Sequence, residues 1–72
     1  MKIKPKKREF KLSERDIAIM ECIASGFTTQ DIAQELKMAV STVNMALLNL
    51  YNRTNTIGRA HLIAWAYQNK IL

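Results

Sequence analysis

The sequence is short of most residues on which a secreted scaffold or a compact enzyme is built. Cys22 is the one cysteine, so no intramolecular disulfide can close and no CxxC metal motif is present. A single thiol inside a helical stretch is most simply a small buried hydrophobe. One proline and two glycines leave few turn signals, and no period-2 alternation of apolar residues occurs, so no sheet is expected. A Gly-rich phosphate loop and a Ser/His/Asp set are both missing, and the carboxylates are scattered. Glu14, Asp16 and Glu21 are most simply helix-capping or solvated charges, and no enzyme is expected. His61 is the one histidine and has no cysteine or acidic companion nearby, so neither metal binding nor catalysis is expected there. No cofactor or small-molecule ligand is expected. No apolar run approaches the roughly 18 residues that a membrane span needs. The charged start has no apolar segment of the signal-peptide kind, so a cytoplasmic protein without membrane contact is expected.

What is present is positive charge, and it is unevenly placed. The 72 residues carry a net charge of +5 with 49% hydrophobic content, which fits one small globular domain with a marginal core. Residues 1–11 hold Lys2, Lys4, Lys6, Lys7, Arg8 and Lys11 against Glu9, and so contain the whole excess. Residues 12–72 balance five basic residues against five acidic ones. Pro5 and the lysine density argue for an extended N-terminal arm over 1–11. Two main readings of that arm stand side by side: an electrostatic tether to nucleic-acid phosphates, or a solubilising tail that contacts nothing. An arm on anionic lipid is a third, disfavoured because no amphipathic apolar stripe accompanies it.

Residues 12–72 read as one all-α domain of four helices with short connections. Ser13 and Asp16 have the spacing of a capping box, and Ile19, Met20, Ile23 and Ala24 form an apolar stripe that Gly26 ends. Thr28 or Thr29 caps a second helix with Ile32, Ala33 and Leu36 inward. After the break Lys37-Met38-Ala39, a third helix is expected from about Val40 to Thr54, burying Val43, Leu47, Leu50 and Thr54. A last helix, from about Arg59 to Asn69, carries Leu62, Ile63, Ala66 and Tyr67 toward the core. A short capped helix, a tight break and a longer helix with a polar outer face form a helix-turn-helix arrangement, whose second helix fits the major groove of DNA.

The order and spacing of Leu12-Ser13-Glu14-Arg15-Asp16, Ala24-Ser25-Gly26, Thr28-Thr29-Gln30-Asp31-Ile32-Ala33, Leu36 and Thr42-Val43, continuing through Asn49, Arg53 and Arg59, resemble the LuxR/FixJ/GerE family. The resemblance covers residues 12–69. It implies a four-helix LuxR/GerE-like helix-turn-helix domain, a double-stranded DNA-binding transcription regulator acting as a homodimer, here similar to the small stand-alone members. It also implies that Thr42 bonds phosphate while Val43 packs inward. Thr28 and Thr29 give hydrogen bonds to phosphate at the start of the second helix, and Asn49 and Arg53 touch the backbone. Relative to the family pattern, Asn44 replaces a lysine, Ala46 a histidine, Ala39 a capping serine and Thr54 a leucine. The outer face of the third helix is then Ser41, Asn44, Met45, Leu48 and Asn52, without charge before Arg53.

Two functions fit that face. Asn44 can read adenine through its amide and Met45 or Leu48 can touch thymine methyls, with the arm supplying long-range attraction. Alternatively, exposed Met45 and Leu48 suit a protein partner, making the chain an anti-activator or decoy that binds another transcription regulator. RNA polymerase is a further partner to consider. On the last helix, His61, Trp65, Gln68 and Leu72 share a second side and are expected to form the dimer contact, against the alternative that Trp65 completes a monomer's core.

Overall fold

The computed structural model describes residues 12–72. Among them are four α-helices and no strand: α1 Glu14–Ala24, α2 Thr29–Leu36, α3 Val40–Thr54 and α4 Arg59–Gln68. The expected boundaries of α3 hold, and α4 stops one residue early because Asn69 serves as its C-cap. No helix of the described residues is long and apolar enough to cross a membrane.

The first two helices begin on complete capping boxes. Ser13 Oγ accepts from the Asp16 N–H at 3.0 Å, and Asp16 Oδ2 accepts from the Ser13 N–H at 3.2 Å. Thr28, and not Thr29, caps α2, with the reciprocal Asp31 bonds at 3.1 and 3.0 Å. Each box satisfies two N–H groups that helix geometry leaves without an internal acceptor. Gly26, at φ 91°, turns the chain out of α1, letting the Phe27 N–H reach the Cys22 carbonyl at 3.0 Å. Lys37 takes the same left-handed conformation at the end of α2, and Met38 N–H then bonds the Ala33 carbonyl at 2.8 Å. The three-residue break before α3 is therefore a closed turn.

The core is a single cluster drawn from every helix: Ile19 and Met20, Ile32 and Ala33, Val43, Ala46, Leu47 and Leu50, Leu62 and Ala66. Helices α1 and α3 each pack on the other three, whereas α2 and α4 do not pack on one another. Helix α3 is buried along one side by the apolar side chains of the other three helices and is open along the opposite side. Buried Thr54 joins this core through hydrogen bonds: its hydroxyl donates to the Leu50 carbonyl at 2.7 Å and accepts from the Thr56 hydroxyl at 2.9 Å. No buried side-chain nitrogen or oxygen among the described residues lacks a partner.

Two core expectations change, and one buried residue was not expected. Tyr67 is not a core residue but 58% exposed, and Ala24 is exposed. The burial axis of α4 runs through Leu62 and Ala66, one helical turn apart, which leaves Tyr67 beyond the edge of the buried stripe. Ala46, three residues after Val43 and four before Leu50, is buried where the sequence comparison gave it no packing role. Its small side chain lets α3 seat closely against its neighbours.

Candidate nucleic-acid interface

Helices α2 and α3 are joined by Lys37-Met38-Ala39 and pack directly on one another, which leaves the far side of α3 facing solvent. Ser41, Thr42, Asn44, Met45, Leu48, Asn49, Asn52 and Arg53 are all exposed there. The face holds three amides and two hydroxyls that can donate and accept, flanked by Met45 at 58% and Leu48 at 54% exposure. Every residue expected at this surface is therefore brought to it, while Val43, Leu47 and Leu50 turn inward. Arg53 is the one charged residue on α3 and stands in its last turn, the end where the helix dipole favours a cation.

The hydroxyl chemistry at the start of α2 is more constrained than the sequence suggests. Thr28 Oγ1 accepts the capping bond from the Asp31 N–H, and Thr29 Oγ1 accepts a hydrogen bond from the Arg59 guanidinium. Each oxygen is engaged as an acceptor, so the hydroxyl proton of each threonine stays able to donate to an anion. Arg59 also donates to the Phe27 carbonyl at 3.2 Å, tying the start of α4 to the start of α2, two helices that otherwise do not pack together. At the other end of the domain, Arg53 Nη1 lies 3.5 Å from Asp16 Oδ2. Both arginine contacts cross thirty or more residues, and neither was assigned from sequence, where Asp16 counted only as a cap. The basic residues at 53 and 59 were visible, but their acceptors were not.

Residues 11–66 match the model for "Bacterial regulatory proteins, luxR family". The chain belongs to the luxR family of bacterial regulatory proteins. Its luxR-type domain is 28% identical over 71 residues to the transcriptional regulatory protein YdfI of Bacillus subtilis, covering 99% of this chain and 33% of that protein. It is 31% identical over 61 residues to the oxygen regulatory protein NreC of Staphylococcus epidermidis, with 85% and 28% covered. It is also 36% identical over 55 residues to the HTH-type transcriptional regulator MalT of Vibrio campbellii, with 76% and 6% covered. The crystal structure of the response regulator ChrA of a heme-sensing two-component system superposes with a TM-score of 0.82 at 26% identity, over 96% of this chain and 33% of that one. The chain spans a third or less of the length of these relatives.

The remaining expected positions lie on α4 and on the arm. In this luxR-family fold His61 and Gln68 are exposed, while Trp65 and Leu72 are half-buried and rest against the core. His61 Nδ1 accepts the Ile57 N–H at 3.2 Å, bracing the turn that leads into α4. The exposed apolar surface of α4 lies on its other flank, where Ala60, Ala64 and Tyr67 stand beside Ile63 and face a shallow groove bordered by Ile23 and Phe27. The arm residues Lys2, Lys4, Lys6, Lys7, Arg8 and Lys11 lie outside the described residues. Cys22 is half-buried, and burial, then the nearby charges of Glu35 and Glu21, push its thiol pKa up, away from nucleophilic character.

Proposed function

We propose that the chain is a sequence-specific, double-stranded DNA-binding transcription regulator that lays α3 in the major groove. The observation that carries this reading is the amide- and hydroxyl-rich outer face of α3, exposed over its full length beside a closed helix-turn-helix break. Asn44 and Asn49 supply paired donor and acceptor groups, of which Asn44, nearer the front of the helix, reads a base edge. Met45 and Leu48 pack on thymine methyls. Thr28, Thr29, Ser41, Thr42, Asn49 and Arg53 hold the phosphate backbone on either side and so set the register of the helix in the groove. The arm residues add attraction that depends on salt and not on sequence.

The reading includes a homodimer formed along α4, because a single helix of this size reads too few base pairs for a long operator. Of the four residues expected there, His61 and Gln68 offer polar edges and Trp65 and Leu72 only their unburied parts. The Ala60–Ala64–Tyr67 flank supplies the larger apolar surface, and its two alanines allow close helix approach. Measured molecular mass of Trp65→Ala and Tyr67→Arg separates the two flanks.

The deciding experiment is selection from a random duplex pool by the full chain near physiological salt. Enrichment of a short inverted repeat supports the regulator reading, and loss of that enrichment in Asn44→Ala assigns base choice to α3. The exposure of Met45 and Leu48 favours one alternative, an anti-activator that docks this face on another transcription regulator. Under that alternative no duplex is retained, and a purified partner regulator is bound instead.

A further inference from the structure

The geometry points to Asp16 as a positioning residue for DNA binding: its carboxylate, anchored in the α1 cap, holds the Arg53 guanidinium where α3 presents it to a phosphate. The inference rests on the reading of α3 as the DNA-contacting helix. Three observations carry it. Asp16 is an unusually fixed counter-charge, since Oδ2 accepts the Ser13 N–H at 3.2 Å and the side chain is only 11% exposed. Arg53, 3.5 Å away, keeps 40% of its side chain exposed, so the pair restrains the guanidinium without covering it. Arg53 is also the one charge on α3, so the position of this single cation weighs on how the helix sits over the backbone.

An arginine fork has several rotatable bonds, and binding a phosphate with a loose one loses conformational freedom. A partner that already selects the outward rotamer removes part of that loss. The same carboxylate also weakens the field of Arg53 and repels phosphate at a distance. These two effects act on different complexes. Where α3 is seated in register, the fixed geometry helps; where the protein slides on any sequence, only the field matters. Removing the Asp16 charge therefore affects the two kinds of duplex in opposite directions, whereas an ordinary acidic residue near DNA, once removed, strengthens binding to both.

The test uses the full chain with the duplex enriched by selection and a scrambled duplex of equal length. Asp16→Asn keeps an oxygen acceptor for the Ser13 N–H and removes the charge. It is expected to weaken binding to the selected duplex about five-fold and to leave binding to the scrambled duplex unchanged or tighter. Asp16→Glu is expected to restore the selected complex. In an Arg53→Met background the Asp16→Asn effect on the selected duplex should vanish. Equal or tighter binding of Asp16→Asn to the selected duplex, or an undiminished loss in the Arg53→Met background, overturns the proposal. If Asp16→Asn does not fold, the wild-type chain decides. Its Arg53 side-chain N–H is expected to give a shifted, slowly exchanging NMR signal, and a signal averaged like that of exposed Arg15 overturns it. Failure here is separable from failure of the DNA reading. An Arg53→Met chain that binds normally while Asn44→Ala does not removes the positioning role alone, and a pool with no enriched duplex removes the DNA reading itself.

Discussion

Helices α1 and α2 begin on capping boxes built by Ser13 with Asp16 and Thr28 with Asp31, whereas α3 and α4 begin on Ala39 and Gly58, which make no side-chain cap. The difference shows where each helix draws its stability. In the first pair, local hydrogen bonds satisfy the exposed ends and define the start to the residue. In the second pair, the helix is held by what it buries: Val43, Leu47 and Leu50 along α3, Leu62 and Ala66 along α4. Helix α3, the proposed recognition helix, is thus one of the two with weak local definition, and Arg53 is the residue of its outer face that also holds another helix.

The sharpest way to break this comparison is to remove buried volume from α3. Leu50→Ala should cost about 2–5 kcal/mol, enough to unfold much of so small a domain, and urea titration reads the loss. A loss as small as that of a cap deletion would show α3 to be locally stabilised after all. Next in size is Thr54→Val, which strands the Thr56 hydroxyl in a buried site and should cost about 1–3 kcal/mol, seen as a lower Tm. Thr28→Ala deletes the α2 cap and should cost about 1 kcal/mol, with amide exchange speeding up in the first turn of α2 more than elsewhere. The converse change, Ala39→Ser, should gain up to about 1 kcal/mol by giving α3 the missing cap; no gain would mean its first N–H groups are already satisfied by other means.

The smallest effect is on pH dependence. The backbone and side-chain hydrogen bonds with Thr28 hold the Asp31 carboxyl below its ordinary pKa. A depressed folded-state pKa favours the fold while the carboxylate is ionised, so this contribution is present at neutral pH and is lost as pH falls through and below the usual carboxylate range. Acid melts should lose that slope in Asp31→Asn, and an unchanged slope would assign it to other carboxylates.

Much of this was legible in the residues themselves. The Ser13–Asp16 capping box, the Gly26 turn and the Val43–Leu47–Leu50–Thr54 stripe are signals spanning at most a few helical turns, and each appears in the fold as expected. The outer face of α3 follows by subtraction from that stripe, which is why its exposed residues were legible too. Tyr67 and Trp65 were not, because both sit at edges of the α4 stripe, where a small rotation of the helix exchanges an inside position for an outside one. The arginine contacts were hidden for a different reason: partners thirty or more residues apart meet only after the helices dock.

The amino-acid sequence by itself determined four helices, their order, their turns and the polar strip on α3, since these rest on neighbours within one or two turns of chain. Tertiary structure alone decided which flank of α4 stays apolar and open, that Arg59 bridges α4 to α2, and that Asp16 serves Arg53 as well as its own helix. Those outcomes depend on how four cylinders settle against a shared core, and docking of that kind is a property of the whole packed set and of no single stretch of residues.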